Sequence, residues 1–197
     1  MKSLTPGSTL KPAAMATRLL KLAHYDPLTE LPNRQILQDR LQQLIAMAKR
    51  RCESFSLFYI GLDGFSRVND AYGFAAGDVA LKDVAHRFLT VVRGADTVTR
   101  VHGDEFIILT PGLSSVNEIG VVAAKLICAL SLPALSIDGH DLNVGASLGC
   151  ATYPVHGTDA DALLRNAAQA MRRAKHSGGN KQCLHEAAAE SHHQGAG

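Results

Sequence analysis

Thr97-Val98-Thr99-Arg100-Val101, then His102-Gly103-Asp104, then Glu105-Phe106-Ile107-Ile108-Leu109: two short runs around a polar turn decide the fold class of this 197-residue chain. β-Branched and aromatic residues fill the flanks, and they favour a pleated backbone. Gly-Asp between them is turn chemistry, so the stretch predicts a tight hairpin. A hairpin makes its two strands antiparallel neighbours. A doubly wound parallel sheet needs a helix at every crossover and is excluded.

Outward from the hairpin, helix and strand periods alternate. Phe55 to Leu62 (FSLFYIGL) is a dense apolar run of the kind that forms a central strand buried on both faces. Leu37, Leu41, Leu44, Ile45 and Ala48 share one helical face, introduced by Pro32 and Asn33. A second stripe is Leu81, Val84, Ala85, Phe88, Leu89 and Val92. Ser115 and Glu118 form a capping box ahead of Ile119, Val122, Ala123, Leu126, Ile127 and Leu130. Leu142 to Cys150 alternates as a strand, and its small residues Asn143, Gly145, Ser147 and Gly149 call for a helix lying close on that face. Leu163, Leu164, Ala167, Met171 and Ala174 make the last helix stripe, closed by Gly178 and Gly179, and 181–185 is expected to add an edge strand. The pattern predicts an α/β (α+β) fold: a mixed sheet surrounded by helices, with a β-hairpin that carries His102-Gly103-Asp104-Glu105.

Composition narrows the function classes. Twenty Lys and Arg against 18 Asp and Glu leave a formal charge of +2, which argues against a nucleic-acid partner or a polybasic membrane anchor. No apolar run reaches the roughly 18–20 residues of a spanning helix, and the N-terminus lacks the apolar stretch of a secretory signal. Cys52, Cys128, Cys150 and Cys183 are scattered without metal-type pairing and read as reduced core thiols. A cytoplasmic protein is expected. Residues 1–23 read as a mobile lead-in with a short amphipathic helix at Met15–Ala23, 24–186 as the domain, and 187–197 as a disordered tail.

Three polar clusters stand out, each with a plain structural reading beside a functional one. Gly73-Phe74-Ala75-Ala76-Gly77-Asp78 follows Asn69-Asp70. Its glycines permit close backbone approach to a ligand, but a polar turn with Asp78 as N-cap of the next helix is favoured on spacing alone. Asp104 and Glu105 at the hairpin tip pair two carboxylates, as a divalent-metal site for phosphoryl chemistry requires, or are simply hairpin residues. Lys175, ahead of Gly178-Gly179-Asn180-Lys181, reaches a phosphate or complements a helix dipole.

Taken together, His24–Arg34 (HYDPLTELPNR), Phe65–Asp78, Asp96–Phe106 and Arg165–Asn180 resemble the GGDEF family of diguanylate cyclases in order and spacing, over residues 24–185. The opening DPLT–LPNR and the closing RNAxxAM–RAK look most like GGDEF domains that precede a phosphodiesterase (EAL) domain, although none is expected to follow here. The resemblance implies a nucleotidyl-cyclase-like fold with a central five-stranded mixed sheet. It also implies a reaction in which two domains, each holding one GTP, meet to form cyclic di-GMP with loss of pyrophosphate. Mg2+ or Mn2+ serves that chemistry when GTP is bound.

By the same resemblance, Asn69 and Asp78 match guanine-reading positions, Asp104 the metal carboxylate with Glu105 beside it, Gly103 the glycine that leaves room for phosphate, and Lys175 a lysine on the terminal phosphates. The chain also departs from the pattern. Gly61 stands where the family's first strand ends in an acidic metal ligand, with Asp63 two residues on as a weak substitute. His102 replaces the first glycine of the motif, Ser66 a lysine, Phe74 a histidine, Gly179 an arginine and Arg172 a tyrosine. Losing one well-placed electrostatic group typically costs about 10²–10³ in rate. Arg93-Gly94-Ala95-Asp96 matches the family's inhibitory cyclic di-GMP site, and reads equally as a helix end and a turn.

The resemblance with these departures implies a degenerate GGDEF domain in cyclic di-GMP signalling, binding GTP or cyclic di-GMP, or docking a second copy or another signalling protein. Two alternatives are carried beside it: an active diguanylate cyclase, and a ligand-free docking scaffold.

Overall fold

Asn33 starts the first helix. Its side chain accepts hydrogen bonds from the Gln35 and Ile36 N–H groups, which have no partner within the helix. In chain order the elements are α1 (Arg34–Arg51), β1 (Phe55–Asp63), α2 (Phe65–Val91), β2 (Thr97–His102), β3 (Glu105–Pro111), α3 (Val116–Ser131), β4 (Leu135–Ile137), β5 (His140–Leu142), β6 (Gly145–Tyr153), α4 (Ala160–His176) and β7 (Gln182–Leu184). This computed structural model describes residues 23–131, 135–137, 140–142 and 144–185. The expected lead-in, all but the last residue of the 15–23 helix, and the tail at 187–197 lie outside the described residues.

Five strands form one sheet in the order β2-β3-β1-β6-β7. β1 pairs antiparallel with β3 and β6, β2 pairs antiparallel with β3, and β7 joins β6 in parallel. The sheet is mixed, with the 181–185 segment as an edge strand, as the pattern predicts, and five-stranded, as the resemblance implies; the hairpin forms the other edge.

A strand period of two splits the core into two layers. Phe58, Ile60 and Leu62 of β1 join Phe106, Ile108, Ala146 and Leu148 under α2 and α3. Phe55 and Leu57 join Ile107, Leu109, Ala151 and Tyr153 under α1 and α4. The small residues of β6 fit this arrangement. A Cβ on Gly149 would lie 2.0 Å from the Ala167 carbonyl oxygen and 2.1 Å from the Met171 nitrogen, so α4 rests its backbone directly on the strand.

Three local expectations are corrected. The turn expected over Gly73–Asp78 is confined to Gly73, where φ 81° and ψ 165° separate two helical segments of α2, Phe65–Val91. Asp78 lies inside the second segment and is no N-cap; the positive φ of a single glycine supplies the kink. The strand drawn from Leu142 to Cys150 is two elements. β5 ends at Leu142 after pairing with β4 in a two-stranded hairpin, and β6 starts at Gly145. Of the four free cysteines, Cys150 alone is a core thiol; Cys183 is half-buried and Cys52 and Cys128 are exposed.

Candidate functional site

The site is built where the end of β1, the start of α2, the hairpin tip and the end of α4 meet. Leu62 ties the end of β1 to the hairpin tip and to α4: its N–H donates to the Asp104 carbonyl at 3.2 Å, and its own carbonyl accepts from Lys175 Nζ at 3.1 Å. A cavity of about 370 Å³ opens beside them, bounded by Leu62, Gly64 to Ser66, Asn69, Gly103, Asp104 and Lys175. Gly103 shapes the hairpin tip with φ 52°, a left-handed conformation that glycine adopts at no steric cost.

Arg100 holds that tip. Its Nε and Nη2 donate to the Gly103 carbonyl at 3.0 and 2.8 Å, while Nη1 donates to Asp26 Oδ1 at 2.9 Å. Asp26 also accepts from the Thr29 N–H and hydroxyl, so the DPLT turn folds onto its own carboxylate. Burial pushes the Asp26 carboxyl up, but hydrogen bonds from Thr29 and Arg100 outweigh it and hold the group below its ordinary range. Sequence reasoning missed this clamp. The residues are 74 positions apart, and nothing in the spacing pairs them.

Four predicted site residues, Asn69, Gly103, Asp104 and Lys175, share the cavity wall. Asn69 packs on Gly77, one helical glycine further along α2. A Cβ on Gly77 would stand 2.0 Å from Asn69 Oδ1, so the missing side chain at 77 admits the amide next to exposed Asp78. The other candidates point elsewhere. Glu105 lies on the α1 and α4 side of the sheet, accepting from the Tyr59 hydroxyl at 2.6 Å with His102 Nε2 at 3.1 Å. Burial, followed by the Glu105 carboxylate, raises the Tyr59 phenol and keeps it protonated. Asp63 accepts from Ser147 Oγ at 2.9 and 3.1 Å and from the Asn180 N–H at 2.7 Å. Asp96 accepts from the Arg93 N–H at 2.8 Å in a turn beyond α2, with Arg93 exposed.

The residues present do not fit a divalent metal ion. Such an ion in a phosphate site takes one or two carboxylates in close octahedral geometry. Gly61 supplies none, Asp63 is committed to Ser147 and Asn180, and Glu105, the cross-strand partner of Gly61, is held by the Tyr59 hydroxyl. Asp104 is left, the single carboxylate at the lower bound, and it is already ion-paired 3.7 Å from the Lys175 ammonium, whose positive charge opposes a cation there. Among the described residues no group of three His, Cys, Asp or Glu could hold a metal.

The family described as diguanylate cyclase, GGDEF domain, matches residues 23–181. The chain belongs to the GGDEF family. The bifunctional diguanylate cyclase/cyclic di-GMP phosphodiesterase MucR of Pseudomonas aeruginosa is 40% identical over 176 residues, which cover 89% of this chain and 25% of MucR. The chain therefore spans about a quarter of the length of that relative. Among solved structures, the GGDEF domain of TpbB (YfiN) from Pseudomonas aeruginosa is similar at a TM-score of 0.78 and 33% identity, covering 81% of this chain and 99% of that one. A microbial GGDEF domain seen interacting with cyclic di-GMP is similar at 0.72 and 30%, covering 84% and 99%. The five-stranded mixed sheet of this GGDEF domain is thus the family's fold. No helix among its described residues is long and apolar enough to cross a membrane.

Proposed function

We propose that this is a degenerate GGDEF domain of cyclic di-GMP signalling: a guanine-nucleotide-binding or interaction module, spanning 24–186, with little or no cyclase activity. The observation that carries this is the contrast within one cavity. The base-reading side is kept, with Asn69 admitted by Gly77 beside Asp78. The metal side is not, because Gly61 is buried and the space its side chain would enter holds Lys175. Cyclisation attacks the α-phosphorus with a ribose 3′-hydroxyl and depends on stabilising charge on the phosphates. With Ser66 and Gly179 in place of two cationic residues of the family's pattern, Lys175 is the ammonium left on the cavity wall.

Arg93 and Asp96 are the proposed second site for cyclic di-GMP. Arg93 is exposed, and its backbone is braced by the Asp96 carboxylate, which leaves the guanidinium available for a bidentate pair with a guanine edge.

The test is product analysis of GTP incubated with Mg2+ or Mn2+, beside calorimetry with GTP and with cyclic di-GMP. The expected result is nucleotide binding without detectable cyclic di-GMP. Turnover at an ordinary enzymatic rate overturns the degenerate assignment in favour of an active cyclase. Absence of binding by either nucleotide leaves a docking scaffold and overturns the ligand assignment.

A further inference from the structure

The ammonium of Lys175 is more than a group near a phosphate pocket. It sits on the Leu62 carbonyl at 3.1 Å and 3.7 Å from Asp104 Oδ2, with about a third of each side chain exposed. Those two oxygens are the cavity's acceptors at the end of β1 and at the hairpin tip. The side chain reaches them across Gly61: a Cβ there would lie 2.8 Å from both Lys175 Cε and Nζ, and 3.1 Å from the Met171 sulfur. Glycine at 61 and the seated lysine are one arrangement. Any side chain at 61, acidic or not, must displace the ammonium.

We infer that Lys175 is the resident cation of this pocket, an internal ammonium that takes the position and part of the charge of a divalent ion, so that a nucleotide phosphate is received without metal. The inference rests on the guanine-nucleotide assignment for its ligand, but its claim about the cation stands on Gly61, Leu62, Asp104 and Lys175 alone. Lysine suits the task. It is a compact point charge with three donors, one of which is given to the Leu62 carbonyl while Asp104 stands 3.7 Å away as its ion partner, leaving N–H groups for a phosphate oxygen. A divalent ion brought to the same oxygens would meet that fixed positive charge and only one free carboxylate.

Two measurements test this. Manganese binding without nucleotide is read from the electron paramagnetic resonance signal of free Mn2+, for the wild type, for Lys175→Met and for Gly61→Asp/Lys175→Met. The wild type is expected to bind no Mn2+ up to millimolar concentration, and the double variant at least about tenfold more tightly than the wild type. Micromolar Mn2+ binding by the wild type overturns the inference. So does a double variant with native circular dichroism and no gain; if that variant does not fold, the wild-type titration decides.

The second measurement is GTP calorimetry in EDTA and in excess Mg2+. Affinity in EDTA is expected to equal or exceed that in Mg2+, and Lys175→Met to lower it by about tenfold or more. Binding about tenfold weaker in EDTA overturns the inference. No GTP binding in either buffer refutes the nucleotide assignment instead, and the manganese titration still judges the ammonium.

Discussion

Adding one methyl group at Gly149 should unseat α4, and adding the same group at Gly120 should not. At Gly149 the new Cβ would fall 2.0 Å from Ala167 O and 2.1 Å from Met171 N, both backbone atoms of α4. No rotamer change relieves such a clash, so the helix must withdraw by about 1.4 Å to restore a 3.4 Å contact. That withdrawal loosens Leu163, Ala167, Ala170, Met171 and Ala174, all no more than 3% exposed. Overpacking a dense core costs about 1–3 kcal/mol, and with backbone as the obstacle the upper end applies. For a domain of this size about 3 kcal/mol lowers Tm by about 6–12 °C. At Gly120, inside α3, the nearest atom to a new Cβ is Gln182 Nε2 at 3.5 Å, an ordinary contact. Alanine there gains about 0.5–1 kcal/mol from helix propensity and should raise Tm by about 1–4 °C. Urea and thermal unfolding of Gly149→Ala and Gly120→Ala read both signs. A Gly149→Ala protein that melts within about 2 °C of wild type refutes the close seating of α4 on β6.

Further predictions concern the clamp, the buried histidine and the Gly77–Asn69 contact. Asp26→Asn should cost about 1–2 kcal/mol at neutral pH, because two or more hydrogen bonds to a charged group are weakened. The Asp26 carboxyl is held below its ordinary 3.8, so the stability it contributes is fully present above that value and lost as pH falls through the folded value. Acid unfolding should accordingly be shallower in Asp26→Asn; an unchanged acid limb counts against the clamp. His156 Nδ1 accepts from the Thr152 N–H at 2.8 Å, which requires an unprotonated nitrogen. Burial, then neighbouring His185, pushes its pKa below the ordinary 6.5, so stability is complete above pH 6.5 and declines as pH falls toward the folded value. Denaturation midpoints of His156→Asn should lose part of that slope, and an identical slope would contradict the assignment. Gly77→Ala drives a Cβ into Asn69 Oδ1, the mobile end of a side chain. GTP affinity should fall by about tenfold while Tm changes by no more than about 3 °C; undiminished GTP binding would detach Asn69 from base recognition.

The sheet was legible because its signals are local. FSLFYIGL needs no partner to read as a buried strand, and His102-Gly103-Asp104 turns the chain within three residues. Even α4 on β6 was visible, through small residues on one face of a strand. The length of α2 was not. Gly73 and Gly77 look alike in sequence, yet one takes a positive φ that kinks the helix and the other stays helical to admit Asn69. β4 and β5 escaped because three-residue strands are too short to show a period. Within the site, sequence pattern grouped Asp104 with Glu105, but Asp104 belongs to the hairpin turn while Glu105 is the first residue of β3, paired across from Gly61 beside Tyr59. Glu105 is therefore spent on Tyr59. The Arg100–Asp26 pair is a long-range contact that propensity cannot encode.

Sharing a face is not enough for Asp63 to replace a carboxylate at 61. Residues 61 and 63 share a face of β1, so a sequence argument can imagine one standing in for the other. The face is not uniform along its length. Gly61 faces Lys175 and Met171 of α4, whereas Asp63, paired with Gly145, accepts diagonally from Ser147 on the neighbouring strand and from the turn that follows α4. Gly179 belongs to that turn, and a Cβ there would lie 2.9 Å from Asp63 Oδ2. The carboxylate therefore organises the exit from α4 and so fixes the end of the helix from which Lys175 extends. A negative charge moved two residues along the strand thus serves to seat a positive one: Asp63 holds the turn, the turn holds α4, and α4 delivers the ammonium over Gly61 to Leu62 and Asp104.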